Sequence, residues 1–504
     1  MNRILFIVAY ILITVLFCQN AIAIHDEEED KLFNPVEVKN GTTLSITDCV
    51  ALAFKNSPII KRQKYNLDIA KSNVGIAKSQ YFPVINAGIG FNNENNSDNI
   101  YHNSHLRELP AVGVSINQLI YNFGKTTSYI KMEKFYQIGA EYEFMDSLCS
   151  TLFNVKDRYY RVLKTKALLD LAQNNVEINK HIVDISTKEV DKATAQIYLD
   201  EANLSLYEAE KTYNDAVLDL TNAMYLGSNP NYILENTETF SISNDFDYTK
   251  SELKIKDYIP LEYNFPTENA INIAYENSPD LQVLISTKEA MEESLKYIKK
   301  AYFPDLTGTV GYGYIKDLNT SNNSLAVAVG LNSSVNIKEL RHSIQGAQAQ
   351  LNIAENEINL FKLDLYYEVK RAFNNVDKCI TQIPIAKKQT EEAYSTLKKV
   401  EKRYKSEIEG YGDIQRARTN YINARKAYIT SIADYNLALI QLEMAMHIHI
   451  FDIHHKSKHA MHHHSQELLE HLNKALGCDE NESKEHTHKK HDKNNVKNRE
   501  VESL

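Results

Sequence analysis

The sequence predicts a mainly α protein with a small transmembrane β-barrel, assembled from an internally duplicated unit of long α-helical hairpins and four β-strands per protomer. Three observations predict it. First, the chain repeats itself: Ala53-Phe54-Lys55-Asn56-Ser57-Pro58 returns as Ala274-Tyr275-Glu276-Asn277-Ser278-Pro279, and Tyr81-Phe82-Pro83 returns as Tyr302-Phe303-Pro304, both 221 positions later. One offset shared by two separate motifs marks a duplicated unit. Second, each copy holds two short stretches that alternate large apolar with small or polar residues, the period of a strand. Third, Lys125 to Leu226 contains one glycine, Gly139, and no proline, so a helical pattern runs through it almost without interruption.

The first elements in chain order belong to export. Residues 1–23 read as a secretory signal: Arg3, an apolar stretch from Ile4 to Phe17, then Ala21-Ile22-Ala23 as a small-x-small cleavage site. That stretch falls short of the roughly 18 apolar residues a spanning helix needs. Cys18 raises the option of lipidation, which the bulky Phe17 before it disfavours. Residues 24–43 form an N-terminal extension whose acidic run, Asp26 to Asp30, reads as a solvated terminus.

Residues 44–226 are the first structural repeat, comprising a helix, a β-hairpin over 84–121 and long helices. In the hairpin, Ile85, Ala87, Ile89 and Phe91 alternate with Asn86, Gly88, Gly90 and Asn92, and Val112, Val114 and Ile116 alternate with Gly113, Ser115 and Asn117. A polar loop is expected from Asn93 to Pro110. Residues 227–266 are a linker or equatorial segment. Residues 267–446 are the second repeat, with its hairpin over 305–335: Leu306, Gly308, Val310, Tyr312 and Tyr314 against Thr307, Thr309, Gly311 and Gly313, then Leu325, Val327, Val329 and Leu331 against Ala326, Ala328, Gly330 and Asn332.

A soluble sandwich carries long charged residues on its outer face. Here the second face is small or polar and nearly uncharged, which is how lipid-facing and lumen-facing positions alternate in a membrane barrel. Strands of about nine residues suffice to cross the hydrocarbon when tilted. Four strands cannot close a barrel, and an open edge cannot be left in lipid, so the sheet must be shared with copies of the same chain. This argument alone fixes only a multiple of four strands.

The helices are unusually long. A run of about 65 residues at 1.5 Å rise spans roughly 100 Å, with one tip expected near Lys192 to Ala195. The returning helices carry Ala202, Leu206, Ala209, Tyr213, Ala216, Leu220 and Ala223, and Ala417, Tyr421, Ala424, Tyr428, Ser431, Tyr435 and Ala438, both spaced 4-3-4-3-4-3. Small residues alternating with large ones at heptad spacing make a seam where backbones approach closely. The net charge of -10 argues against a nucleic-acid partner. Cys49, Cys149, Cys379 and Cys478 are scattered and are expected as free thiols. Gly88-Ile89-Gly90 and Gly311-Tyr312-Gly313 do not open helices and so read as strand glycines, not a nucleotide loop. No nucleophile–base pair stands out, so no enzymatic activity is expected.

Taken together, the Asn-Ser-Pro helix openings, Tyr-Phe-Pro before each hairpin, Gln118 to Lys125 (QLIYNFGK) and Asp413 to Arg418 (DIQRAR) resemble the TolC-like outer membrane efflux protein family from Leu44 to about Met446. The resemblance implies a homotrimer pooling its strands into a twelve-stranded barrel in outer membrane lipid, with a helical tunnel across the periplasm. It also implies docking at the helical tips by a periplasmic adaptor and an inner-membrane RND or ABC transporter, for efflux or type I secretion. Departures from the family pattern fall at Leu119, where a proline is usual, at Ser333 and Lys338 in the second copy, at Glu407, and at Lys192 and Tyr198 at the first tip.

By the same resemblance, Asp413 matches an acidic residue lining the closed periplasmic entrance, and Arg416 stands where a second one is common. Tyr404 matches a closed-state tether, and Glu409 stands where a basic tether partner is frequent. Three Asp413 carboxylates around one axis would attract cations and repel anions.

Residues 447–504 form a His-rich tail, expected to be mostly disordered, holding twelve of the 17 histidines. His454, His455, His459, His462, His463 and His464 are candidate ligands for Zn, Cu or Ni, with His455, His459 and His463 at i, i+4 spacing; no other cofactor is expected. Two further readings compete with the channel: a non-conducting periplasmic coiled-coil scaffold, and a metal-binding outer membrane protein in which the tail is the active part.

Overall fold

The computed structural model describes residues 37–94, 107–228, 230–235, 267–316, 321–406 and 408–448. In chain order these form β1 (Thr43–Leu44), α1 (Ile46–Asn56), α2 (Pro58–Ser79), β2 (Val84–Glu94), β3 (Arg107–Tyr121), α3 (Lys125–Ile185), α4 (Glu189–Ala223) and β4 (Ile233–Leu234). The second series is α5 (Thr267–Asn277), α6 (Pro279–Lys299), β5 (Asp305–Lys316), β6 (Ser321–Asn332), α7 (Ile337–Lys405) and α8 (Tyr411–Met446). The duplication read in the sequence is therefore a duplication of structure.

Both copies turn a helix corner in the same way. The hydroxyls of Ser57 and Ser278 accept hydrogen bonds from the N–H of Ile60 and Leu281, each 3.3 Å, and Pro58 and Pro279 start the next helix. The serine satisfies a donor that the first turn would leave orphaned, and proline suits a position whose N–H has no intrahelical partner.

The four long strands form one antiparallel sheet in the order β2-β3-β5-β6. Its register collects the apolar rows on one face, since Ile85 lies opposite Ile116, Ile116 opposite Val310 and Val310 opposite Val327. Val327, Val329 and Leu331 on that face are about 70% exposed. The other face is polar and bonded across strands: Thr309 donates to Asn117 Oδ1 at 2.8 Å, and Asn332 donates to Thr307 Oγ1 at 2.9 Å. β2 and β6 are the outer strands of this sheet.

The first hairpin pairs further than expected. Its ladder continues to Glu94 opposite Arg107, so Asn93, Glu94 and residues 107–110 of the expected loop are paired strand; residues 95–106 lie outside the described residues. The strands run 11 to 15 residues, not about nine. Backbone pairing requires only extended backbone, so a ladder outlasts the side-chain alternation that advertises it. The second hairpin stops sooner than expected, at Asn332 rather than at 335.

The exits from the two hairpins differ. Phe123 and Gly124 take left-handed backbone (φ 55° and 79°) to swing β3 into α3. In the second copy Asn336 caps α7 from an extended conformation by accepting from Glu339 N–H, so Lys338 meets no demand for a glycine.

α3 has 61 residues and α7 has 69, about 90 and 105 Å at the helical rise. The break between α3 and α4 falls at Ser186-Thr187-Lys188, not at Lys192 to Ala195. There the Ser186 hydroxyl donates back to the Ile182 carbonyl, Lys188 turns extended, and Glu189 and Asp191 supply the negative charge a helix start favours. The heptad seams fall on buried or half-buried positions, with Tyr421, Tyr428 and Tyr435 fully enclosed. The main core gathers residues of α1, α3, α4, α5, α7 and α8, and a smaller one near the tips joins Ile178, Ile182, Leu397, Ile414 and Tyr421. Cys49, Cys149 and Cys379 are free thiols. Among the described residues no helix is long and apolar enough to cross a membrane.

Candidate functional site

The two long hairpins end side by side, so the α3–α4 turn and the α7–α8 turn share one cluster of contacts. Tyr404, in the last turn of α7, bonds through its hydroxyl to Asp191 Oδ2 at 3.2 Å and Ser186 Oγ at 3.4 Å. These bonds tie the second copy to the tip of the first. Burial raises the Tyr404 phenol above its ordinary pKa and pushes Tyr411 up to about 12, so both remain protonated at any physiological pH. Their rings meet edge to face at 6.4 Å, and Tyr411 is also 6.4 Å from Tyr198 of α4.

Asp413 is committed locally. Its Oδ2 accepts from Gly410 N–H at 3.2 Å, closing the first turn of α8, and its Oδ1 pairs with Arg416 at 3.0 Å. Glu409 pairs with Arg403 at 3.2 Å, within the same turn. The structure thus places Tyr404, Glu409, Asp413 and Arg416 on one turn, but only Tyr404 reaches across to the other hairpin. His454, His455, His459, His462, His463 and His464 lie outside the described residues.

A second bridge between the hairpins lies next to this cluster. His181 Nε2 on α3 is 3.0 Å from Glu401 Oε1 on α7, and Lys405 Nζ reaches the same oxygen at 2.9 Å. Glu401 is buried, so its charge depends on these neighbours. Sequence reasoning missed His181, Glu401, Ser186 and Asp191. Only Ser186-Thr187, a pair of hydroxyl residues followed by Glu189 and Asp191, carried a local signal, that of a helix start.

A cation next to a carboxylate at such a tip can hold helices together or let them part. Among the described residues no group of three or more metal-ligating side chains comes together.

Comparison with known proteins gives a consistent result. The family model described as "Outer membrane efflux protein" matches residues 50–225 and 270–446, one stretch in each copy. The chain is similar to the outer membrane protein TolC of Vibrio cholerae, 24% identical over 200 residues, covering 36% of this chain and 44% of the relative. The aligned segment thus spans less than half the length of that relative. Among solved structures, the CmeC outer membrane channel of Campylobacter jejuni superposes with a TM-score of 0.65 at 15% identity, over 80% of this chain and 85% of CmeC. The open state of the MtrE outer membrane channel of Neisseria gonorrhoeae gives 0.63 at 13% identity, over 83% and 94%. At such identities these likenesses speak to the fold.

Proposed function

Because the chain belongs to the outer membrane efflux protein family, matched over both of its copies, we propose that it is the passive exit duct of a tripartite efflux pump or type I secretion system. The outer membrane is its site. The observation that carries the reading is the sheet: one face exposes an apolar surface, the other is a hydrogen-bonded polar surface, and among the described residues the outer edges of β2 and β6 have no strand partner. Open edges are not tolerated in hydrocarbon, so the sheet has to be completed by other copies. Three copies give a twelve-stranded barrel, and the helical hairpins continue it as a tunnel through the periplasm.

The tips are the gate of this duct. Each Asp413 brings Arg416 with it, so the constriction is a ring of ion pairs whose carboxylates become available to cations when the pairs open. Tyr404 holds the closed arrangement through Asp191 and Ser186. An adaptor and an RND or ABC transporter of the inner membrane supply the energy. Reconstitution of the full-length protein in planar bilayers tests the assignment: stable single-channel conductance from a trimer is expected, and a detergent-free soluble monomer would end it.

The tail adds a second proposal, metal binding by His454, His455, His459, His462, His463 and His464. Titration of Zn into the intact protein and into one truncated after Ile450 decides it, since equal affinity removes the idea.

A further inference from the structure

Arg418 lies two turns into α8 and is 8% exposed. Its Nη1 donates to Asn179 Oδ1 at 2.7 Å and reaches Asn175 Oδ1 at 3.5 Å, both on α3; its Nη2 is 3.4 Å from Thr419 Oγ1; and its guanidinium sits 5.4 Å from the centre of the Tyr198 ring on α4. Every one of these partners is neutral. The Nε donor is fully enclosed and has no acceptor among the described residues. Burial opposes its charge most, Tyr411, Tyr198 and Glu201 favour it in that order, and among the described residues no carboxylate is paired with it.

A cation taken out of water without a counter-ion raises the energy of the state that buries it. Burial also depresses the Arg418 pKa, the direction expected when desolvation outweighs its favourable contacts. The enclosure is built from three helices on both sides of the junction between the two hairpins. Moving α8 away from α3 and α4 therefore gives the guanidinium back to water, at the expense of hydrogen bonds that water replaces.

Resting on the channel reading above, we propose that Arg418 is a positioning residue that opposes the closed tip: its uncompensated charge counters the Tyr404 tether and keeps the gate near balance. Tyr404 and Arg418 then act with opposite sign on one equilibrium, although both make contacts across the same junction. A partner that parts the tips needs to supply only the difference between them.

The test compares the full-length wild-type protein with R418M/N179L, which removes the cation together with its main acceptor and leaves only the half-buried Asn175 side chain, which water can reach, without its former donors. In planar bilayers the open fraction of the double variant is expected to fall about tenfold, and amide exchange across residues 411–421 to slow. Y404F should move both readings the other way. An open fraction that is unchanged or higher in R418M/N179L overturns the proposal. R418Q, which discharges the site but keeps an amide donor, must show the same sign if the double variant fails to assemble; the opposite sign, or none, is equally fatal. Should the wild-type protein conduct no ions, the channel reading falls, and amide exchange decides the Arg418 proposal alone: exchange as fast as wild type or faster rejects it.

Discussion

Lys156 and Glu443 show how much a single pair can carry. Their side chains are 7% and 2% exposed and meet at 2.8 Å between α3 and α8. Removing one side of this pair leaves the other charge buried without it, so Glu443→Ala is expected to cost about 3 kcal/mol or more, whereas K156M/E443L should stay within about 1 kcal/mol of wild type. Denaturant midpoints of the three proteins check this; an E443A variant as stable as wild type would contradict it. Asp146 works in the other direction. Burial first, and the charge of Asp280 second, push its carboxyl up to about 6. The folded chain therefore binds a proton more tightly than the unfolded chain, and Asp146 lowers stability as pH rises through the window from about 4 to 6. Asp146→Asn should raise the melting temperature at pH 8 and leave it nearly unchanged at pH 4. A benefit of equal size at both pH values would show that packing, not charge, is responsible.

At the scale of elements, the legible features were those with a period or a repeated word. Asn-Ser-Pro and Tyr-Phe-Pro fix helix corners and strand entries within a few residues of chain, so they can be read without tertiary knowledge. The strands were legible because Val327 and Ala328 face opposite ways, and alternation of that kind has few other causes. What stayed hidden was set by contacts distant in sequence. Ser186 became the tip because of its back-bond to Ile182 and the extended backbone of Lys188 that follows, while the sequence around Lys192 looked equally breakable. Tyr404 was marked by resemblance, but its partners Ser186 and Asp191 lie more than 200 positions away, and nothing local pairs them. The same holds for His181 with Glu401. The turn at Phe123-Gly124 is a local feature with a measurable cost. Gly124 has φ +79°, and a Cβ there would lie 3.1 Å from Lys300 Nζ. Gly124→Ala should therefore destabilise the protein by about 1 kcal/mol, with a larger loss if Lys300 is also displaced from the Gly124 carbonyl it donates to at 3.0 Å. Thermal unfolding of G124A checks it, and Lys338→Gly, at the equivalent place in the second copy, should bring no gain because Asn336 already caps that helix.

For the whole molecule in the proposed channel, the decisive property is that one sheet must satisfy two solvents. Neighbouring residues of β6 state opposite requirements: Val327 lies in the exposed apolar row opposite Val310, and Ala328 lies in the polar row opposite Thr309. A charge on the lipid side of a barrel near its midplane costs about 2–4 kcal/mol per copy, while a charge on the lumen side is hydrated. Because the proposed closed assembly would repeat the substitution in every copy, the cost on the lipid side would multiply while the lumen side would gain a ring of charge. Val327→Lys should thus block insertion and assembly, leaving the protein out of the membrane fraction. Ala328→Lys should assemble normally and shift the channel toward anions, read as a change in reversal potential under a salt gradient. The contrast between adjacent positions separates the channel from a scaffold whose hairpins only anchor it: an anchor would also fail with V327K, but it would have no lumen in which A328K could change ion selectivity.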